Sequence, residues 1–112
     1  MPWSIRKVQN TREVHLCFDG HLSAEEGRAS LNALLDAMGG QNISVVCDIR
    51  CMSGYETAAR LVWQRGLWQH RKQIDTCGFI GGNSIVRVGA RMMCGVLGIR
   101  VYFVEQAESR AA

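Results

Sequence analysis

The sequence predicts an α/β domain: a five-stranded mixed, mostly parallel sheet with an N-terminal β-hairpin and three helices, in the order β-β-α-β-α-β-α-β. Two extended runs come first, then three apolar runs of strand length at residues 43–49, 76–81 and 99–104. Each of those three follows a segment of helical character, and glycine stops close the first and third helical segments. Strands alternating with helices through short connections pair in parallel by right-handed crossovers.

The elements follow in order. Residues 2–8 and 12–18 read as strands separated by Asn10 and Thr11, the second alternating Val14, Leu16 and Phe18 against His15 and Cys17. Asp19-Gly20 marks a turn. Ser23 with Glu26 three positions on forms a capping box that opens a helix through Met38, stopped by Gly39-Gly40, with Leu31, Leu34, Leu35 and Met38 as its apolar stripe. Residues 43–49 are nearly all apolar, as in a central parallel strand covered on both faces. The second helix is expected over 55–72, with Leu61, Leu67 and Trp68 toward the sheet and Arg65, Arg71 and Lys72 solvated near its C-terminal end. After the strand at 76–81, Asn83 or Ser84 caps a third helix reaching about Leu97, Gly98 closes it, and 99–104 form the last strand. One domain over 1–106 with a frayed tail at 107–112 accounts for the chain, without repeats, low-complexity segments or linkers.

Composition narrows the function classes. A chain of 112 residues, 47% apolar and 21% charged, suits one soluble core. No window approaches the roughly 18 apolar residues of a membrane span, and MPWSIRKVQN lacks the apolar stretch of a signal peptide, so a cytoplasmic location is expected. The five cysteines form no C-x-x-C pair; Cys17, Cys47 and Cys77 sit in or beside strand runs, as buried thiols of a reducing compartment do, and Cys51 near Arg50 is the one with a partly exposed setting. His15, His21 and His70 are scattered, so neither metal nor cofactor is expected. The charge of +3 is mild, and the basic, Trp-containing WQRGLWQHRK at 63–72 is better read as a solvated helix face than as a nucleic-acid site.

The stretch ISVVCDIRCMSGYETAAR at 43–60 concentrates the functional signal. An apolar strand runs into Asp48, then a Cys/Met/Ser/Gly loop, then a helix start carrying Glu56 and Thr57. In parallel α/β domains ligands and partners meet the chain where strands give way to helices, since N–H groups there are unpaired and the helix dipole points outward. Asp48, Arg50, Cys51, Met52, Gly54, Tyr55 and Glu56 are the candidate partner contacts, and the Thr57 and Ser53 hydroxyls are the candidate phosphoacceptors. A plainer reading has Ser53 capping the helix, Glu56 completing a capping box and Thr57 merely following. A second place is Gly81-Gly82-Asn83-Ser84, where two glycines before a capped helix would admit an anionic ligand, or simply turn strand into helix. It has neither the ending of a P-loop nor the spacing of a dinucleotide site. Catalysis is not expected: no nucleophile lies beside a base, and Cys51 and His70 fall at opposite ends of a helix ~27 Å long at ~1.5 Å per residue. Val62, Trp63, Leu67 and Trp68 offer more apolar surface than one buried face needs, either as a homodimer patch or partly buried near Trp3.

The order of elements and several of these residues resemble the STAS domain, shared by sulfate transporters and anti-sigma-factor antagonists. Gly20-His21-Leu22-Ser23 stands at that family's Gly-x-Leu-Asp turn, Asp48-Ile49 at its Asp-Leu strand end, and Glu56-Thr57 at the Asp-Ser that opens its second helix. Asn83 to Arg87 through Leu97-Gly98-Ile99 is similar to its last helix. The chain departs from the pattern at Ser23, at Glu56-Thr57, and at Ala59, where the family usually has glycine. The resemblance implies a non-catalytic signalling module that docks a regulatory protein, an anti-sigma factor or kinase-like partner, and is switched by phosphorylation of Thr57, thereby regulating transcription. A branch of small stand-alone members binding an apolar, lipid-like or anionic ligand is the alternative it implies.

Overall fold

The structure, a computed structural model, describes residues 2–95 and 97–105; the tail expected to fray, and the end set for the domain at 106, lie outside them. The elements run β1 (Trp3–Lys7), β2 (Glu13–Leu22), α1 (Ala24–Met38), β3 (Ile43–Tyr55), α2 (Thr57–Gln69), a 3-10 turn (Arg71–Gln73), β4 (Ile74–Ile80), α3 (Ser84–Gly95) and β5 (Arg100–Val104). They form one five-stranded sheet in the order β1-β2-β3-β4-β5, antiparallel between β1 and β2 and parallel thereafter. The expected mixed sheet with its N-terminal hairpin and three helices is the observed fold.

The layering differs from expectation. β2 to β5 lie side by side in chain order, so crossovers of one hand step the same way and carry all three helices to one face. Leu16, Cys47 and Phe79 lie in one row of that face, joined in a single core with Leu34 of α1, Leu67 of α2 and Val86 of α3. Among the described residues no helix covers the opposite face. Val46 is nonetheless buried there, because its row reads Arg6, His15, Val46, Gly78 and Tyr102, and the Tyr102 ring lies across Gly78. A Cβ on Gly78 would stand 2.3 Å from that ring, so the ring lies flat there only because residue 78 has no side chain.

Two strand ends expected near Phe18 and Ile49 are not ends. β2 passes through Asp19-Gly20 to Leu22 and β3 continues to Tyr55, pairing with each other throughout. From Cys17 to Asp19 the partners on β3 advance from Asp48 to Cys51, so three residues oppose two and the strand bulges. Gly20, at φ 75°, supplies a backbone kink rather than a reversal. Since β3 pairs with β4 only as far as Asp48, residues 51–55 and 19–22 project as a two-stranded arm beyond the sheet.

α1 is capped as the sequence predicts: the Glu26 N–H donates to Ser23 Oγ, the Ser23 N–H to Glu26 Oε1, and Gly39 closes the helix in the left-handed region. Leu31, Leu34 and Met38 are buried and Leu35 half-buried. α2 presents a different stripe from the one expected. Ala59, Trp63, Gly66 and Leu67 face inward, whereas Leu61 and Trp68 are 50% and 48% exposed. Ala59 and Gly66 explain the choice, since small residues let α2 approach α1 closely: a Cβ on Gly66 would press into Leu31, and one on Gly27 into Ala59. The buried Trp63 indole N–H donates to Ser30 Oγ at 3.1 Å, and that hydroxyl donates to Gly27 O. Trp63 and Leu67 therefore belong to the core, leaving Trp68 and half-buried Val62 of the proposed dimer patch at the surface. α2 ends at Gln69, and Arg71 stacks its guanidinium 3.8 Å over the Trp68 ring.

Candidate functional site

The arm of β3 and the first turn of α2 bring the residues singled out from sequence to one end of the molecule, although as strand rather than loop. Arg50 lies in the bulge and Cys51 just after it, paired with Asp19, and both are exposed. Asp48 is half-buried and bound by Arg50 at three points: backbone N–H to Oδ1, Nε to Oδ1 at 3.0 Å and Nη2 to Oδ2 at 2.7 Å. Those hydrogen bonds hold its carboxyl below the ordinary aspartate range, against the opposing effect of partial burial. Met52 is 8% exposed and turns into the core, which removes it from the possible surface contacts. Ser53 is exposed, and Gly54 is half-buried against the His21 imidazole.

Glu56 does not act as expected. Because β3 persists to Tyr55, Ser53 lies in extended backbone and no Ser53–Glu56 capping box forms; Glu56 is itself the N-cap of α2, without a side-chain cap bond there. Its carboxylate instead accepts from the Ala24 N–H at the mouth of α1, and its own N–H donates to Leu22 O. One acid thus ties the starts of two helices together. Thr57 is the first residue of α2, exposed, in a first turn that contains no acidic residue. Its hydroxyl stands at the positive end of the helix dipole.

Asn83 links the two sequence-predicted places. Its Oδ1 accepts from Val86 N–H and caps α3, while its Nδ2 donates to the carbonyls of Met52 and Ser53 at 3.3 Å each. Gly81 and Gly82 have φ of 68° and 99°, and Cβ atoms there would strike Arg50 and Ile49. The Gly81 N–H already donates to Val104 O at 2.8 Å. Ser84 opens α3 and is exposed. Arg87 and Arg91 spread over the Phe103 ring, 5.1 and 4.7 Å from its centroid.

Beneath the arm lies a cavity of about 70 Å³ between β3, α2 and α3, lined by Met52, Tyr55, Ala59, Arg60, Trp63 and Met93 among others. The sequence does not mark Arg60 or Tyr55 as lining a cavity. One signal was present: Gly89, an isolated glycine within a helical segment, marks where the Tyr55 ring rests on α3, leaving no room for a Cβ. The helix-free face of the sheet carries a groove of about 580 Å³ lined by Arg6, Glu13, His15, Cys17, Asp48 and Arg50. Cys17 is exposed there rather than buried, since the odd positions of β2 face away from the helices; partial burial, then Asp48, push its thiol pKa up. Among the described residues, no group of three or more His, Cys, Asp or Glu is placed to hold a metal, and no helix is long and apolar enough to cross a membrane.

No protein-family model matches the chain, and no curated protein matches it significantly. Solved structures do. An uncharacterized DUF3478-family protein with a SpoIIAA-like fold from Shewanella loihica PV-4 superposes with a TM-score of 0.73 at 19% identity, over 96% of this chain and 87% of that one. The anti-sigma factor antagonist SpoIIAA in its unphosphorylated form superposes with a TM-score of 0.56 at 11% identity, over 97% and 93%. The chain therefore has a SpoIIAA-like, STAS-like fold, as the motif resemblance implied.

Proposed function

We propose that the chain is a non-catalytic cytoplasmic regulator that docks a partner protein through the outer arm of β3 and the first turn of α2, and that phosphorylation of Thr57 switches the complex. The observation that carries this reading is the position of Thr57: exposed, first in α2, with exposed Glu56 and Ser53 beside it, on a fold shared with an anti-sigma factor antagonist. A phosphate at that point would be favoured by the helix dipole and would add about −1.5 to −2 charge to the docking surface. Tethering supports a surface of fixed shape, because Asn83 holds the carbonyls of Met52 and Ser53 and Glu56 holds Ala24. The partner class is an anti-sigma factor or kinase-like regulatory protein, and the consequence is control of transcription.

Candidate anti-sigma kinases encoded alongside this chain, purified and mixed with it, should form a complex on a sizing column. Incubation with ATP should then phosphorylate Thr57, located by peptide mass spectrometry. Thr57→Asp should weaken the complex by about tenfold or more, the scale of a like-charge or desolvation cost at an interface, and Thr57→Ala should bind without being switched. The reading fails if both variants leave every such complex unchanged.

A further inference from the structure

We propose that the seam between α2 and α3, on the outer side of the helix layer, receives an acidic amphipathic helix of a partner protein, its apolar stripe on Leu61, Trp68, Ile85, Val88 and Met92 and its carboxylates on Arg65 and Arg91. This surface begins beyond the first turn of α2 and does not rest on the Thr57 docking role.

Three observations carry it. Among the described residues those five are the exposed large hydrophobic side chains, between 48% and 69% exposed, and all of them belong to α2 or α3. Single apolar residues scattered over a surface need no explanation, whereas a contiguous group marks an interaction site. The second observation is that helix phase gathers them. At ~100° per residue, Leu61 and Trp68 stand roughly opposite Ala59 and Gly66, which pack on α1, and so occupy the flank that turns to α3. On α3, Arg87 and Arg91 reach toward Phe103 of β5, and Ile85 and Met92 lie well round from them, on the flank that turns to α2. Leu61 with Trp68, and Ile85 with Met92, are each two turns or ~10 Å apart along their helices, so the two stripes match in length.

The third observation is charge. α2, the 3-10 turn and α3 carry Arg60, Arg65, Arg71, Lys72, Arg87 and Arg91 and no acidic residue. Arg65 and Arg91 are exposed and border the apolar strip on its two long sides, and Arg71 covers one end of it through its stack on Trp68. An apolar strip between cationic rims is complementary to a helix whose apolar stripe runs between acidic flanks. Two helices side by side leave a furrow that the side-chain ridge of a third helix fills, and a flat bilayer has no such ridge. A second copy of the chain would set arginine rims against arginine rims.

The test uses the full chain and a synthetic peptide of about 18 residues, long enough to be helical alone, with leucine recurring at every third and fourth position and glutamate on both flanks. A second peptide carries lysine in place of each glutamate. The methyl resonances of Leu61, Ile85, Val88 and Met92 report binding. The glutamate peptide should shift them saturably, bind about tenfold or more tightly than the lysine peptide, and weaken as salt is raised. Arg65→Glu combined with Arg91→Glu should reverse that preference; both side chains are exposed, so the fold is not at stake. Val88→Ser with Met92→Ser should weaken the glutamate peptide about tenfold or more. Absence of saturable shifts, equal affinity for the two peptides, or an unchanged preference in the charge-reversed chain would each overturn the proposal. Shifts of the same methyls by phosphatidylglycerol vesicles, or by raising the concentration of the chain alone, with none from the glutamate peptide, would overturn it in favour of a membrane or a second copy. None of these variants alters Thr57 or the arm of β3, so the docking role stands or falls separately.

Discussion

Asp48 shows how one side chain is claimed by its neighbours. Residues 48 and 50 share a face of β3, so Arg50 reaches back along the strand and spends its guanidinium on the carboxylate. The folded-state pKa is thereby lowered, chiefly by the Arg50 side chain. A carboxylate with a depressed pKa contributes stability above its unfolded value of about 3.9, and loses it as pH falls through that value toward the folded one. The midpoint of urea unfolding is therefore expected to be level in the neutral range and to drop below about pH 4, and Asp48→Asn should remove part of that drop. An acid-side slope identical in the two proteins would show that Arg50 does not hold Asp48 in solution. The sequence left Asp48 divided between accepting N–H groups and a functional role; the first is visible in the structure, with the Arg50 N–H bound to Oδ1. Cys17 was expected buried because free cysteines usually are, yet the alternation of Val14, Leu16 and Phe18 against His15 and Cys17 already sets it on the opposite face, and the structure follows the alternation.

Helices were legible where their ends carry chemistry. Ser23, Glu26 and Gly39 mark α1 because capping is a local interaction, complete within a few residues of sequence. The phase of α2 was not, since Leu61 with Trp68 and Trp63 with Leu67 are competing apolar pairs and only the proximity of α1 selects between them. That proximity depends on Gly27. A Cβ there would lie 2.9 Å from Ala59 Cβ and 3.1 Å from Ala59 Cα, atoms that no rotamer change can move aside. Helix propensity alone favours Gly27→Ala by about 1 kcal/mol. Overpacking a close contact costs about 1–3 kcal/mol, so the net effect is expected to be a loss of stability. Urea denaturation of Gly27→Ala, Ala59→Gly and the double variant checks this: the double variant should be less destabilised than the sum of the singles. A more stable Gly27→Ala would mean the two helices separate at no cost. The end of β3 was illegible for a related reason, as Cys-Met-Ser-Gly reads as a turn, yet its pairing with β2 overrides local preference and carries the strand to Tyr55.

The topology of the whole chain followed from alternation and short connections, which leave few ways to order five strands. One-sided layering did not, because a nearly unbroken apolar run from 43 to 49 looks the same whether helices cover its second face or neighbouring side chains do. Thiol chemistry distinguishes the two faces. Cys47, Cys77 and Cys94 are buried on the helix side, where contacts among the thiols and burial push Cys77 and Cys94 well up; Cys17 and Cys51 are exposed. The thiolate is the reactive form, so buried thiols with raised pKa are protected twice, by access and by protonation. An aromatic disulfide reagent should consequently titrate Cys17 and Cys51 in the native chain and reach all five cysteines only in denaturant. Cys17, its pKa raised more modestly, should react faster as the solution is made alkaline. Peptide mapping after partial labelling identifies the modified residues; rapid modification of Cys47 or Cys94 in the native chain would mean that α3 opens from the sheet far more readily than its buried packing implies.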